Sequence, residues 1–234
     1  MTFTYLQKKL SALLLLMMGL VSLSAFADGG IVLGGTRLVY PAGQKQISLS
    51  VRNTSPQSGF LVQSWVENAN GKKTNDFVVT PPLFVSNAGD ENVLRLMYVG
   101  ATVPTDRETL YYFNAKAVPS IDKSKIEGSN SLILATVTRI KLFVRPANLA
   151  GDADKATSML KFERSGDQVK ISNPSPYYIT LVKMTSGNKK LADVMVAPFG
   201  HETVTLPKGK ARNLAYSTIN DYGAISSQKN ANIN

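Results

Sequence analysis

Apolar and polar residues alternate along most of the chain. Ile47, Leu49 and Val51 are interleaved with Ser48, Ser50 and Arg52, the period of two that a half-buried strand imposes. The rhythm recurs at residues 59–68 (GFLVQSWVEN), 76–79, 92–99 (NVLRLMYV) and 109–118 (TLYYFNAKAV). Turn signals separate these runs: NTSPQSG at 53–59, Asn70-Gly71, Pro81-Pro82 and the stretch 87–89. No segment carries a convincing helical period. Short strands at this spacing predict an all-β chain built from β-sandwiches.

One run fits badly. Residues 130–146 read NSLILATVTRIKLFVRP. As a single strand this would extend roughly 50 Å, against a usual strand of about 5–6 residues. One face would carry Leu132, Leu134, Thr136, Thr138, Ile140, Leu142 and Val144, the other Ile133, Ala135, Val137, Arg139, Lys141 and Phe143. The first half is apolar on both faces. A central strand covered on both sides has this pattern. So has an edge strand whose open face is reserved for another protein, since an exposed apolar edge otherwise invites aggregation. Pattern alone favours the central strand.

Beyond Pro146 the composition changes. The small, polar stretch 147–158 (ANLAGDADKATS) predicts a solvated linker. Further strands are expected at 160–164, 168–172, 177–184, 192–197, 203–206 and 211–219, followed by a loose polar tail at 226–234. At the other end, Lys8 and Lys9 precede an uncharged apolar run at 10–23 and the small-x-small site Ala25-Phe26-Ala27. That is the form of a secretory signal peptide spanning residues 1–27. Its apolar run falls short of the ~20 residues of a spanning helix, and no later segment is long and apolar enough, so no membrane span is expected. The roughly 200 residues that remain suit two domains of about a hundred each, placed at 28–148 and 149–234.

Composition narrows the chemistry. The chain has no cysteine, which removes thiol catalysis and cysteine metal sites and leaves ordinary apolar cores to hold an exported fold. Lys+Arg number 26 against 16 Asp+Glu. Export, and the lack of basic clusters with interleaved aromatics, argue against nucleic acid and for an acidic protein partner. The sole histidine, His201, is expected in an exposed turn. No nucleophile elbow, zinc motif or phosphate loop occurs. Asp152 and Asp154 are too small a fragment of a calcium loop to suggest one. No catalytic residue, cofactor or metal is therefore expected, and binding is the predicted business of the chain.

Seven stretches carry a resemblance: GGTRLVYPAGQKQ (34–46), LVQSWVENANG (61–71), TPPLF (80–84), DRETLYYFNAKAVPS (106–120), TRIKLFVRP (138–146), NPSPYYIT (173–180) and TINDYGA (218–224). With these the chain resembles the periplasmic pilus chaperones of the chaperone–usher pathway. It is similar to chaperones of type 1 fimbriae, in the cysteine-free subgroup whose 119–131 loop is short. The resemblance implies two immunoglobulin-like β-sandwich domains in an L. It implies a donor strand lent to pilus subunits that have an incomplete immunoglobulin-like fold, and hence the edge reading of 130–146. By position Leu132, Leu134 and Thr136 would enter the subunit groove, Thr136 standing where a larger apolar residue is usual. Ile133 and Val137 would face the chaperone's own core. Arg37 and Lys141 would hold the subunit's C-terminal carboxylate, and Glu108, Arg145 and Asp221 would form an interdomain charge network. The implied location is the periplasm, and the implied partners are pilus subunits and an outer-membrane usher. Self-association of the free protein through its exposed strands stays open. The alternative is a secreted two-domain adhesin-like or carbohydrate-binding sandwich, distinguished by a glycan ligand.

Overall fold

The computed structural model describes residues 29–121, 132–207 and 213–233. The expected signal peptide and most of the 119–131 loop lie outside these residues. The first part of the chain forms β1 (Ile31–Leu33), β2 (Arg37–Pro41), β3 (Ile47–Asn53), β4 (Phe60–Asn68), β5 (Phe77–Thr80), β6 (Leu83–Ser86), β7 (Glu91–Tyr98), β8 (Thr109–Pro119) and β9 (Thr136–Arg145). One sheet has the order β1-β3-β7-β5 and the other β2-β9-β8-β4-β6. Alternation then dictates the core. Leu49 and Val51 of β3, Leu94 and Leu96 of β7, Val62 and Val66 of β4, Phe113 of β8, and Leu142 and Val144 of β9 meet between the sheets. Each such side chain contributes about 1.5–3 kcal/mol by leaving water.

The second part forms β10 (Lys161–Ser165), β11 (Gln168–Ser172), β12 (Ile179–Ser186), β13 (Lys189–Lys190), β14 (Val194–Val196), β15 (His201–Thr205), β16 (Ala215–Thr218) and β17 (Lys229–Asn230). The sheet β10-β11-β15 faces one built on β12 and β16, enclosing Phe162, Ile171, Leu181, Met184 and Leu214. Each domain uses a buried Asn-x-Ser turn. The Asn53 side-chain amide donates to the carbonyls of Ser58 (2.7 Å) and Asn87 (2.8 Å), and its oxygen accepts from the Ser55 amide at 3.0 Å. Asn173 does the same with Tyr177 (2.7 Å), Ala197 (3.0 Å) and the Ser175 amide (3.0 Å).

Three expectations need correction. The interdomain stretch is not merely a solvated linker. It holds a short helix, α1 (Ala153–Ala156), and a 3-10 turn at Thr157–Met159. Asp152 caps α1 by accepting from the Asp154 amide at 3.0 Å, and Ala156 is buried in the second core. The tail is not loose. β17 pairs with β16, the Ala231 amide donates to Leu214 at 2.8 Å, and Ile233 bridges to Phe162. Two apolar residues within a polar run suffice to pin it. His201 opens β15 opposite Ser172, exposed but within a strand rather than in a turn. Among the described residues no helix is long and apolar enough to cross a membrane.

Candidate functional site

The site is built on β9, whose neighbours change along its length. β2 runs parallel to it and pairs only from Arg37↔Lys141 to Pro41↔Arg145. β8 runs antiparallel and pairs from Ala117↔Thr136 to Thr109↔Val144. The strand is thus central from Lys141 onward and an edge before it. Residues 132–135 belong to no strand and do not pair with β8, although β8 runs on to Pro119, two residues past its last pair with β9. Leu132 is 84% exposed and Leu134 67%. The long run of the sequence is therefore one ten-residue strand preceded by an extended apolar segment.

Ile140, Leu142 and Val144 put one face of β9 into the core. Thr136 and Thr138 lie on that face, and Leu134 and Leu132 continue its parity. Ile133 and Val137, expected to face the protein's own core, do not: both are about half exposed. A period of two places Val137 with Arg139, Lys141 and Phe143, on the opposite face. There Arg139 stacks 3.6 Å from the Tyr112 ring and donates to Glu67 at 3.1 Å.

Arg37 and Lys141 are direct neighbours in the parallel ladder, and both reach into the second domain. Arg37 donates to the Ile219 carbonyl at 3.1 Å and Lys141 to the Thr180 hydroxyl at 3.0 Å. Their acceptors are themselves joined, the Ile219 amide donating to the Thr180 carbonyl at 3.3 Å. Among the described residues neither cation forms an ion pair, and the buried Nε of Arg37 has no partner. Burial pulls the Arg37 guanidinium below its ordinary value, against the pull of Asp221 and Glu108. Lys141 is pushed down to about 8, first by burial and then by the adjacent Arg37 charge, with Asp193 opposing. Two partly desolvated cations side by side favour an added anion.

The nearby carboxylates are already committed. Arg145 donates through Nε to Glu108 at 2.7 Å, and through both terminal nitrogens to Asp221 at 2.6 and 2.8 Å. The second Glu108 oxygen accepts from the Tyr178 amide at 2.7 Å. Glu108, only 3% exposed, therefore joins the domains directly through the oxygen that accepts from Tyr178 and indirectly, by way of Arg145, through the other. Burial disfavours the Arg145 charge, but the forked bond to Asp221 and the pair with Glu108 outweigh it and hold the guanidinium above its ordinary value. These residues line a cavity of about 310 Å³ between the domains, with Arg37 in its wall.

Sequence reasoning overlooked two parts of this joint. Phe143 stacks on Tyr178 across the domains, ring centroids 5.5 Å apart. Gly223, at φ +83°, has no room for a Cβ beside the Thr36 hydroxyl. Its turn is tied by Asn220, whose side-chain oxygen accepts from the Tyr222 (3.1 Å) and Ala224 (2.9 Å) amides. The Asn-Asp-Tyr-Gly run signals a turn; that it abuts Thr36 is a matter of tertiary placement. Among the described residues no cluster of metal-ligating side chains occurs.

Comparison with known proteins gives a consistent answer. The family model for the N-terminal domain of PapD, a pili and flagellar-assembly chaperone, matches residues 30–150. The model for the C-terminal domain of the pili assembly chaperone PapD matches 155–230. The chain is 44% identical over 215 residues to the probable fimbrial chaperone SfmC of Escherichia coli K12, covering 92% of this chain and 94% of that protein. It is 48% identical over 200 residues to the chaperone protein FimC of the same strain, covering 85% and 83%. Among solved structures, that of the Salmonella enterica SafA pilin in complex with the SafB chaperone matches with a TM-score of 0.78 at 32% identity, covering 88% of this chain and 97% of that chain.

Proposed function

The chain belongs to the pilus-assembly chaperones, a family of non-enzymatic proteins, and we propose that it captures pilin subunits by lending them the free edge of β9. One observation carries this reading. From Thr136 to Ile140 the strand is bonded on one side only, and the leucines before it are exposed. An unpaired apolar edge of this kind is a liability unless a partner uses it. A subunit whose immunoglobulin-like sandwich lacks a strand supplies that partner. Main-chain hydrogen bonds to the open side of β9 give affinity, and Leu132, Leu134 and Thr136 fill its groove. The structure of the relative SafB in complex with a pilin supports a pilin as the partner.

Arg37 and Lys141 receive the subunit's C-terminal carboxylate. They stand where β2 stops pairing and the open edge begins, so the carboxylate sets the register of everything along that edge. A slip of one residue would turn the wrong side chains inward. Each charge-assisted bond contributes about 1.5–3 kcal/mol. Glu108, Arg145 and Asp221 fix how the two domains, 28–148 and 149–234, meet. Removal of residues 1–27 would release the chaperone into the periplasm, where it hands its subunit to an outer-membrane usher. The test is co-expression with a pilin, followed by purification of the chaperone from the periplasm. Wild type should bring down the subunit, and Arg37→Ala, still folded by circular dichroism, should not. Equal recovery with Arg37→Ala removes the anchor.

A further inference from the structure

A second cavity, about 680 Å³, opens in the C-terminal domain beside the cation pair, bounded by Val182, Met184, Leu191, Ile219 and Ile225. It exists because β12 breaks step with β16 between Val182 and Thr185. Lys183, at the break, adopts φ +50°, unusual for a residue with a side chain, and its amide donates to Asp193 at 3.2 Å. Lys183, Lys190 and Asp193 line the cavity as well, with Thr185 and Gln228.

Its position ties it to the anchor. Ile219, one wall, supplies the carbonyl that Arg37 holds. Val182 lies two residues along β12 from Thr180, which holds Lys141, so the two side chains share a strand face and stand roughly 7 Å apart. Asp193 in its lining is the carboxylate that acts on Lys141. A chain end whose carboxylate sits on Arg37 and Lys141 thus has this cavity within reach of its last side chains.

We propose that this cavity is a specificity pocket that takes a large apolar or aromatic side chain from the last two residues of the captured subunit. The proposal rests on the carboxylate anchor described above. The lining suits such an occupant: two lysines against one aspartate keep the cavity positive toward an anionic chain end, and five apolar side chains outnumber the two uncharged polar ones, Thr185 and Gln228.

Titration calorimetry with synthetic peptides tests it. Nine-residue peptides of alternating threonine and valine end in Phe-Phe or Ala-Ala, each as a free acid and as an amide. The Phe-Phe acid should bind roughly tenfold tighter than the Ala-Ala acid, as burial of a large apolar side chain implies. Ile225→Asp, at a half-exposed position, should bring the Phe-Phe acid down to the Ala-Ala level and leave the Ala-Ala acid unchanged. Equal affinity of the two acids, with both amides weaker, overturns the pocket and leaves the anchor standing. Amides that bind as well as acids overturn the anchor, and the pocket with it. Absence of binding by either acid counts against both. Should Ile225→Asp misfold, the ratio of the two acids on the wild-type protein decides alone.

Discussion

The two halves of the run 132–145, the second of them the paired end of β9, are both rich in apolar residues and have opposite surroundings. Leu142 is fully buried, with β2 on one side and β8 on the other. Leu134, on the same parity and a few residues earlier, is 67% exposed. Composition does not separate them. What differs is how far each neighbouring strand pairs: β2 stops at Lys141 and β8 at Thr136. The buried half is held by its own domain, and the open half has an unmet demand for a strand and for apolar cover.

The comparison is broken most severely by placing the same charge in each half. Leu142→Glu puts a carboxylate in a closed core and should leave no folded protein; even Leu142→Ala should cost about 2–5 kcal/mol. Leu134→Glu should leave the melting temperature unchanged and abolish pilin recovery. A Leu134→Glu protein that unfolds would mean the open half is structural after all.

Arg145 ends the buried half, and its loss should be nearly as damaging to stability. Arg145→Ala leaves Glu108 buried without its cation, and removing one partner of such a pair costs about 3–5 kcal/mol. Calorimetry should show the loss and small-angle scattering a changed relation of the domains. An unchanged melt and scattering curve would separate this cluster from the joint.

Lys141 marks the boundary between the halves, and pH addresses it. In the free protein it titrates near 8. A bound carboxylate favours the charged form and raises that value, so binding takes up a proton above about pH 8. Affinity for the subunit should be flat below about pH 8 and fall as pH rises beyond it, and Lys141→Arg should flatten the fall. The stability of the free chain runs the other way. The unfolded lysine, near its ordinary 10.5, holds more protons than the folded one between about 8 and 10.5. The unfavourable contribution of Lys141, fully present below about 8, therefore fades across that window.

The smallest effect sharpens the comparison at the first paired residue. Thr136→Ile adds apolar area to the open face and should tighten the subunit complex by up to about 1 kcal/mol, seen as slower subunit release. The free protein's melt should not move.

Alternation made most strands legible, because a period of two follows directly from one covered and one open face; β3, β7 and β8 lie where it puts them. The same pattern overextended β9, and the family resemblance, carried over by position, misassigned Ile133 and Val137. Apolar residues reserved for a partner look like core to any reading based on hydrophobicity. α1 is a single turn, too short to show a helical period, and only the Asp152 cap hints at it. Arg37 and Lys141 were identifiable by family resemblance, but their adjacency is a property of a parallel pairing between residues a hundred positions apart. The Asp193 influence on Lys141 and the Gly223 contact with Thr36 arise only when the domains meet.

The row of side chains from Ile140 to Val144 ends in the open, and that has a consequence for exchange with solvent. Under the proposed mode a guest packs onto the continuation of that row, so host and guest share a strand and their openings become one event. Amide hydrogens of Val137 and Arg139, which alternate with those bonded to β8 and face the open edge, would exchange freely in the unloaded protein. In the loaded protein they would exchange no faster than the guest departs. The host's own melting would rise with guest concentration by mass action. The open half of β9 would thus serve as a built-in clock for how long a subunit stays.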